Sequence, residues 1–263
     1  MLEINKIYNM DCLEGMKYID DKSIDMILCD LPYGVTQCNY DNLIPFEPLW
    51  NQYERIIKNN GAIVLFGTQP FTTDLINSNR KLFRYELIWC KNFATGSLLA
   101  KKRPMKAHEN LLVFYKEQPT YNPQMVERTD AELKRLSKKS VKTKSSEFQP
   151  YGGMSGNRED NKYKMPNSQL HFNCVFNRSK EKTKHPNQKP VSILEWLIKT
   201  YTNEGELVLD NCGGSGSTYI ACINTNRNFI GFELNKEYYE LAKNRINKHI
   251  LDNNLQDRYS LIA

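Results

Sequence analysis

The segment ELVLDNCGGSGSTYIACINTNRNFIGFELN, residues 206–235, restricts the fold more than any other part of the chain. An apolar strand runs into Asp210. A glycine turn follows, Gly213-Gly214-Ser215-Gly216, and a helix is predicted to begin near Ser217. A second apolar strand ends in Glu233. Glycine lets the backbone approach a ligand closely, and a helix start offers free N–H groups. An acid ending the second strand suits hydrogen bonds from ribose hydroxyls. The segment reads as a nucleoside-binding βαβ unit; the plain alternative is a tight turn with no ligand. Its position matters. It lies near the end of 263 residues and contributes only two strands. The rest of the sheet must come from the N-terminal part, so the domain is expected to be circularly permuted.

The N-terminal part supplies such strands. INKIYN, DMILCD, AIVLFG, YELIWC and LLVFY are short runs rich in Ile, Val, Leu, Phe and Tyr. Helical patterns lie between several of them, as in PLWNQYERIIKNN and PFTTDLINSN, and SILEWLIKTYTN precedes the glycine unit. STYIACINT separates its strands and NKEYYELAKNRINKHI follows. This alternation predicts an α/β fold, a mostly parallel seven-stranded sheet with helices on both faces. The length suits one large domain or two small ones, and 40% hydrophobic residues suffice for a core. No run approaches the apolar length that spans a bilayer. The N-terminus lacks the basic and apolar regions of a signal peptide. Seven scattered cysteines form no C-x-x-C pair and read as reduced thiols. No His/Cys cluster has metal-ligand spacing, so no metal is expected.

The pattern breaks from Lys116 to Lys184, where a basic helical stretch precedes a Gly-, Asn- and Ser-rich one. Lys101 to Lys184 holds 19 basic and 9 acidic residues, whereas the remainder is net acidic. A local basic field of this size suits a polyanion, with a solvated lysine-rich loop as the bland alternative. The expected organisation is residues 1–115 and 185–263 as two halves of one domain, with 116–184 inserted.

Asp210, beside the glycine turn, fits a ligand with a cationic amino group. A dinucleotide fingerprint needs a third small residue, but Tyr219 follows soon after the turn. S-adenosylmethionine has an ammonium, a ribose and no pyrophosphate, and fits better. By the permuted strand order, Asp30-Leu31-Pro32-Tyr33, at the end of DMILCD, comes to the same sheet edge, where open α/β sheets bind ligands.

Together these residues resemble the DNA amino-methyltransferases. Asp30 to Tyr33 is similar to the D-P-P-Y motif of that family, and Asp210 to Thr218 to its D-P-F-x-G-S-G-T-T loop. HPNQKPVSILEWLI matches its H-P-x-Q-K-P segment, and NMDCLEGM its G-D-C-L strand end. Catalytic motif first, variable region next and cofactor motifs last is the order of the β class. Leu31, Asn211 and Cys212 depart from the motifs. The resemblance covers about three quarters of the chain, omitting Tyr121 to Lys184.

The resemblance implies a Rossmann-like methyltransferase fold and S-adenosylmethionine as cofactor. Asp11 and Cys12 are implied at its adenine ring and Glu233 at its ribose. Asp210 and the turn with its flanks (Cys212, Gly213, Gly214, Gly216, Ser217, Thr218) are implied at the methionine part, with Gln188, Lys189 and Pro190 as a nearby wall. The implied reaction is methyl transfer to the exocyclic amine of a flipped adenine. That amine is a poor nucleophile because its lone pair is delocalised into the ring. Asp30 accepts a hydrogen bond from one N–H and the Leu31 or Pro32 carbonyl from the other, which exposes the lone pair to the sulfonium methyl. Tyr33 offers a stacking face for the extruded base. There is no Pro-Cys dipeptide, the usual setting of the cytosine-C5 nucleophile.

The basic insert is the expected reader of duplex DNA. Lys134, Arg135, Lys138, Lys139, Lys142 and Lys144 are the phosphate candidates, and YGGMSGNR, with Arg158, a loop at the DNA. His108 and His185 are expected to be structural or surface residues, and Trp89 and Trp196 core aromatics. A homodimer, a cognate restriction endonuclease and a cytoplasmic, nucleoid-associated setting in a bacterial or phage-infected cell are further implications. Cytosine-N4 methylation and a DNA-binding protein that has lost catalysis remain as alternatives.

Overall fold

A computed structural model describes residues 2–34, 42–137 and 162–262. The chain divides into a large unit, residues 1–122 with 168–263, and a small one, residues 123–167. In chain order the large unit opens with β1 (Lys6–Tyr8), α1 (Cys12–Met16), β2 (Ile24–Cys29), α2 (Phe46–Ile56) and β3 (Ile57–Gly67). It continues with α3 (Phe71–Ser78), β4 (Phe83–Thr95) and β5 (Lys106–Phe114). The small unit holds β6 (Val126–Glu127), α4 (Asp130–Ser137) and β7 (Tyr163–Lys164). The large unit resumes with β8 (Gln169–Phe172), α5 (Val191–Tyr201), β9 (Leu207–Asp210), α6 (Ser217–Asn224), β10 (Asn228–Phe232) and α7 (Lys236–Asp252).

The sheet has eight strands in the order β1-β10-β9-β2-β3-β5-β4-β8, where seven were expected. The additional strand, β8, comes from within the expected insert and pairs parallel with β4 at the edge. Only β5 runs against its neighbours. The N-terminal β1 lies beside β10, with Lys6 opposite Ile230, so the first strand continues the sheet where the last one leaves it. This is the permuted Rossmann-like arrangement expected from the order of the motifs.

The central strands are near-continuous apolar runs because both faces are covered. Met26 and Leu28 of β2 point to one face, with Val64, Val208 and the buried sides of α5, α6 and α7. Ile27 and Cys29 point to the other, with Leu65, Leu209 and residues of α1, α2 and α3. The helix expected through Asn60 stops at Ile56, because Ile57 is extended and buried and pairs with Ile24 in the parallel ladder. Trp89 is buried, and Trp196 packs partly buried against the same core.

In the small unit, α4 begins on a capping box. The Glu132 carboxylate accepts from the Thr129 N–H at 2.9 Å, and the Thr129 hydroxyl accepts from the Glu132 N–H at 3.3 Å. Lys164 of β7 pairs with Glu132 at 2.6 Å.

Strand β9 connects through α6 to β10 on one side, while β2 connects through α2 to β3 on the other. The two are direct neighbours, with Ile27 opposite Leu209. Their carboxyl ends flank the point where the winding reverses, and Asp30 and Asp210 leave the sheet there side by side.

Tyr219 of α6 lies buried beneath the glycine turn and donates its hydroxyl to the Asp210 carbonyl at 3.1 Å. It fits because Gly213 and Gly231 lack side chains: a Cβ at Gly231 would stand 2.1 Å from that hydroxyl, and one at Gly213 2.2 Å. Where a dinucleotide fingerprint would have a third small residue, this chain thus has a large one whose space two glycines provide. Gly231→Ala is expected to lower stability by about 2 kcal/mol through overpacking, read as a reduced midpoint in urea.

Candidate active site

Asp30 sits one residue beyond β2 with its carboxylate held from two sides. The Tyr33 hydroxyl donates to Oδ1 at 2.7 Å, and the Lys189 ammonium donates to Oδ2 at 2.5 Å. The Tyr33 ring packs on Phe71 with centroids 4.9 Å apart, which fixes the turn against α3. Burial, reinforced by the charge of Asp30, holds the Tyr33 phenol well above its ordinary value, so it acts as a donor. Pro32 is half-buried. The Leu31 side chain packs inward into the core, so replacing proline there costs no exposed apolar surface.

Lys189 also reaches Glu109 of β5, with Nζ 3.4 Å from Oε2, and Lys91 of β4 pairs with the same Glu109. Lys189 is nearly buried, its side chain 11% exposed. Burial opposes its charge, but Asp30 and Glu109 outweigh burial and hold it above its usual value. Burial raises Glu109, while Lys189 and Lys91 pull it below the usual carboxylate range. Four charged side chains from four parts of the chain thus form one network around the catalytic candidate.

One strand over, Asp210 is buried, and its carboxylate accepts from the Cys212 N–H at 3.1 Å. Among the described residues it makes no ion pair. Burial pushes it up to about 6, against hydrogen bonds from Thr218, Cys212 and Cys29. Glu233 accepts from the Gly214 N–H and the Asn235 N–H, each at 2.8 Å, tying the end of β10 to the glycine turn. Gly214 and Gly216 have positive φ, 49° and 76°. The ring of His185 stands over Gly214, where a Cβ would be 3.1 Å from its Nε2, and meets Tyr238 edge-on at 4.5 Å. Burial, with Lys189 and Lys182 nearby, pushes His185 down to about 4, so its imidazole is neutral.

Other expected site residues have local tasks. Asp11 caps α1, accepting from the Leu13 N–H at 2.8 Å. Gln188 is buried and spans its own loop, accepting from Thr183 and donating to the Glu181 carbonyl. Pro190 precedes the first turn of α5. Ser217 accepts from Arg245 at 2.9 Å. Cys12, Cys29 and Cys212 gather beneath the turn with Asn211, whose amide donates toward the sulfurs of Cys12 and Cys212 at 3.6 and 3.5 Å. Tyr53 of α2 donates to the other side of Asn211 at 2.5 Å. Burial pushes Cys29 up to about 12, so it packs as a thiol. Polar Asn211 is therefore satisfied where the motif has proline, and the thiols fill the space left by phenylalanine.

Of the phosphate candidates, Lys134 and the backbone of Arg135 lie on α4; Lys138, Lys139, Lys142, Lys144 and Arg158 lie outside the described residues. His108 is exposed on β5. Among the described residues, no group of acids, histidines or cysteines is arranged to hold a metal, and no helix is long and apolar enough to cross a membrane.

The sequence model of a family described as DNA methylase, covering the N6 and N4 methyltransferases, matches residues 24–244. The chain belongs to this DNA methylase family. Type II methyltransferase M1.MboII of Moraxella bovis is 29% identical over 265 residues, 94% of this chain and 98% of that protein. DNA adenine methyltransferase YhdJ of Escherichia coli (strain K12) is 27% identical over 93% of this methylase and 83% of that protein. Among solved structures, the M1.HpyAVI complex with SAM superposes with a TM-score of 0.60 at 26% identity, covering 91% of this chain and 98% of that one. The cytosine-N4-specific PvuII DNA methyltransferase gives 0.66 at 17% identity over 96% and 90% of the two chains, a likeness of fold.

In this methylase, Glu109 and Lys91 join the charge network around Asp30 although no motif marks them, and His185, the first letter of the H-P-x-Q-K-P segment, stands over the glycine turn. For Glu109 the available signal was an acid two residues before the buried run of β5. Because the carboxyl of Glu109 titrates below a free one, its ion pairs stabilise the fold above about pH 4.3 and fade as pH falls through the lowered value. Glu109→Gln is expected to be less stable than the parent at pH 7. In urea unfolding series the gap should begin to narrow below about pH 4.3 and close once pH has fallen past the lowered value.

Proposed function

We propose that this methylase is a site-specific DNA adenine-N6 methyltransferase that uses S-adenosylmethionine and acts on an adenine taken out of the duplex. The observation that carries this reading is the placement of Asp30, oriented by Tyr33 and Lys189, at the same sheet edge as the buried Asp210 of the neighbouring strand, which makes no ion pair among the described residues. The residues fit the cofactor. Asp210 offers a buried carboxylate with no cation of its own, suited to the ammonium. Glu233 stands at the end of β10 for the ribose, and the glycine turn between them leaves room for close approach. When bound, S-adenosylmethionine supplies an electrophilic methyl on sulfur.

The chain's own residues then act on the target amine. Each oxygen of Asp30 has two lone pairs, so Tyr33 and Lys189 leave acceptor capacity for an amine N–H. The carbonyl of Leu31 or Pro32 takes the second N–H. Two fixed acceptors stabilise the positive charge that develops on nitrogen without reorganising during the reaction. Asp at position 30 favours adenine, and the family includes cytosine-N4 enzymes as the alternative. The small unit and its basic continuation are read as the DNA-recognition segment. The Type II naming of relatives supports pairing with a restriction endonuclease in the bacterial cytoplasm, and a homodimer is part of the same reading.

Asp30→Ala is expected to abolish methyl transfer while cofactor binding, followed by calorimetry, survives. Near-normal transfer by this variant would sink the mechanism. Methylation-sensitive sequencing and nucleoside mass spectrometry of DNA from expressing cells should report N6-methyladenine at one short site, and N4-methylcytosine would establish the alternative. Asp210 must be ionised to pair with an ammonium and titrates near 6 in the free protein. Cofactor affinity should therefore fall roughly tenfold between pH 7 and pH 5, and Asp210→Asn should bind weakly with a flat profile.

A further inference from the structure

Strands β4 and β5 do not stop at the sheet edge. Their ladder runs through Cys90 opposite His108, shifts register, and resumes with Thr95 opposite Lys106. Because β4 runs parallel to β8 and antiparallel to β5, as β3 also does, its end lies at the same carboxyl edge as Asp30. Four residues of strand beyond Lys91 carry the hairpin roughly 13 Å past the root. The root is tied to the site itself, since Lys91 pairs with Glu109, Glu109 with Lys189, and Lys189 with Asp30. Strand β8 braces it from outside: the Trp89 indole donates to the Phe172 carbonyl at 2.8 Å, and Asn92 accepts from the Cys174 N–H at 2.9 Å.

The tip is ordered by its own bonds. Gly96 has φ 90° and opens a 3-10 turn over Ser97–Leu99, closed by Ala100 N–H to Ser97 and Lys102 N–H to Leu99. This turn presents Leu98 at 99% exposure. Next to it, Lys101, Lys102 and Arg103 are exposed and, among the described residues, make no ion pair. From Lys91 to His108 the chain has five basic residues and no acidic one. A leucine held fully in water on a braced arm, beside three cations that make no ion pair among the described residues, packs into neither hydrophobic core.

We propose that this hairpin is a second DNA-contact element, separate from the small unit: Lys101, Lys102 and Arg103 neutralise phosphates, and Leu98 enters the duplex to fill the space left by the extruded base. The inference rests on the DNA-methylation reading. Its chemistry is that of a strand-separating wedge, in which an apolar side chain replaces stacking lost at one step while basic neighbours hold the backbone. Since the root is joined to Asp30 by three ion pairs, a duplex delivering a base to Asp30 must pass the arm.

The test has two arms. Replacing Lys101, Lys102 and Arg103 together by Gln should weaken binding to a random-sequence duplex and lower the slope of log affinity against log salt by about two to three, in fluorescence anisotropy. Leu98→Ala should slow methylation of a duplex carrying the sequenced site roughly tenfold, and recover on the same duplex with an abasic position opposite the target. Leu98→Met should keep the rate. The inference is overturned if the neutralised tip binds with unchanged affinity and salt slope, or if Leu98→Ala loses as much on the unpaired target as on the paired one. A wild-type protein that methylates neither duplex would instead defeat the underlying reading, while the binding arm still reports on the hairpin.

Discussion

The ion pair between Lys189 and Asp30 joins two ends of the chain that sequence holds 159 residues apart. Lys189 belongs to the loop before α5, Asp30 to the end of β2, and Glu109 and Lys91 to the antiparallel pair at the far side of the sheet. Charges this poorly solvated persist only when each is paired, since a lone buried ion costs several kcal/mol. The arrangement is therefore conditional on the permuted fold being closed: only with β9 seated beside β2 does α5 bring Lys189 over the Asp30 turn. Such a network adds little over apolar residues of the same volume, although removing one partner leaves the others unpaired and destabilises the fold. What it adds is orientation, because Tyr33 and Lys189 hold the Asp30 carboxylate from two sides.

The same closure decides where the glycine turn sits. Strand β9 contributes Asp210, β10 contributes Glu233, and the turn between them is tied back to Glu233 through the Gly214 N–H. Tyr219 supports the turn from below and His185 lies above it. The turn is thus clamped between an aromatic ring in the core and a half-buried, neutral imidazole. That neutrality matters: a charged imidazole would be repelled by Lys189 and Lys182.

Much of this was legible because it is local. Apolar runs fixed on both faces announce β2, β3, β9 and β10, and glycines at positive φ announce the turn. The order of motifs announced the permutation, since a nucleoside-binding unit with two strands needs the remainder of a sheet from elsewhere. What was hidden depends on partners distant in sequence. Strand β8 buries only Leu170 of its four residues, so no periodicity marks it. Its pairing with β4 is what makes it a strand. The early start of β3 at Ile57 is set by Ile24 across the ladder, against a helical pattern that runs on to Asn60. Glu109 looks like any polar residue before a strand until Lys91 and Lys189 are placed around it. Gln188 matches a motif letter, yet its amide is used up within its own loop. The motif marks a conserved-looking pattern of letters, and only the hydrogen bonds separate residues that face the ligand from those that shape the loop.

Asp30 and Asp210 end adjacent parallel strands, and their environments divide the work between them. Asp30 is given a protein cation, so its charge is compensated within the fold; in the proposed reaction that leaves it a directional task, to receive one N–H. Asp210 is buried without a cation, and burial pushes it up to about 6. A carboxylate in that condition gains most from a cationic ligand, because pairing removes the desolvation cost that raised it. Pairs of acids whose surroundings treat them differently take different roles. Here the difference follows from connectivity. The loop before α5 delivers its lysine to the β2 side of the switch point, while the β9 side receives a glycine turn that offers N–H groups and neutral side chains. One strand end carries a protein cation, and the other, among the described residues, carries none, which is why the proposed cofactor's ammonium suits it.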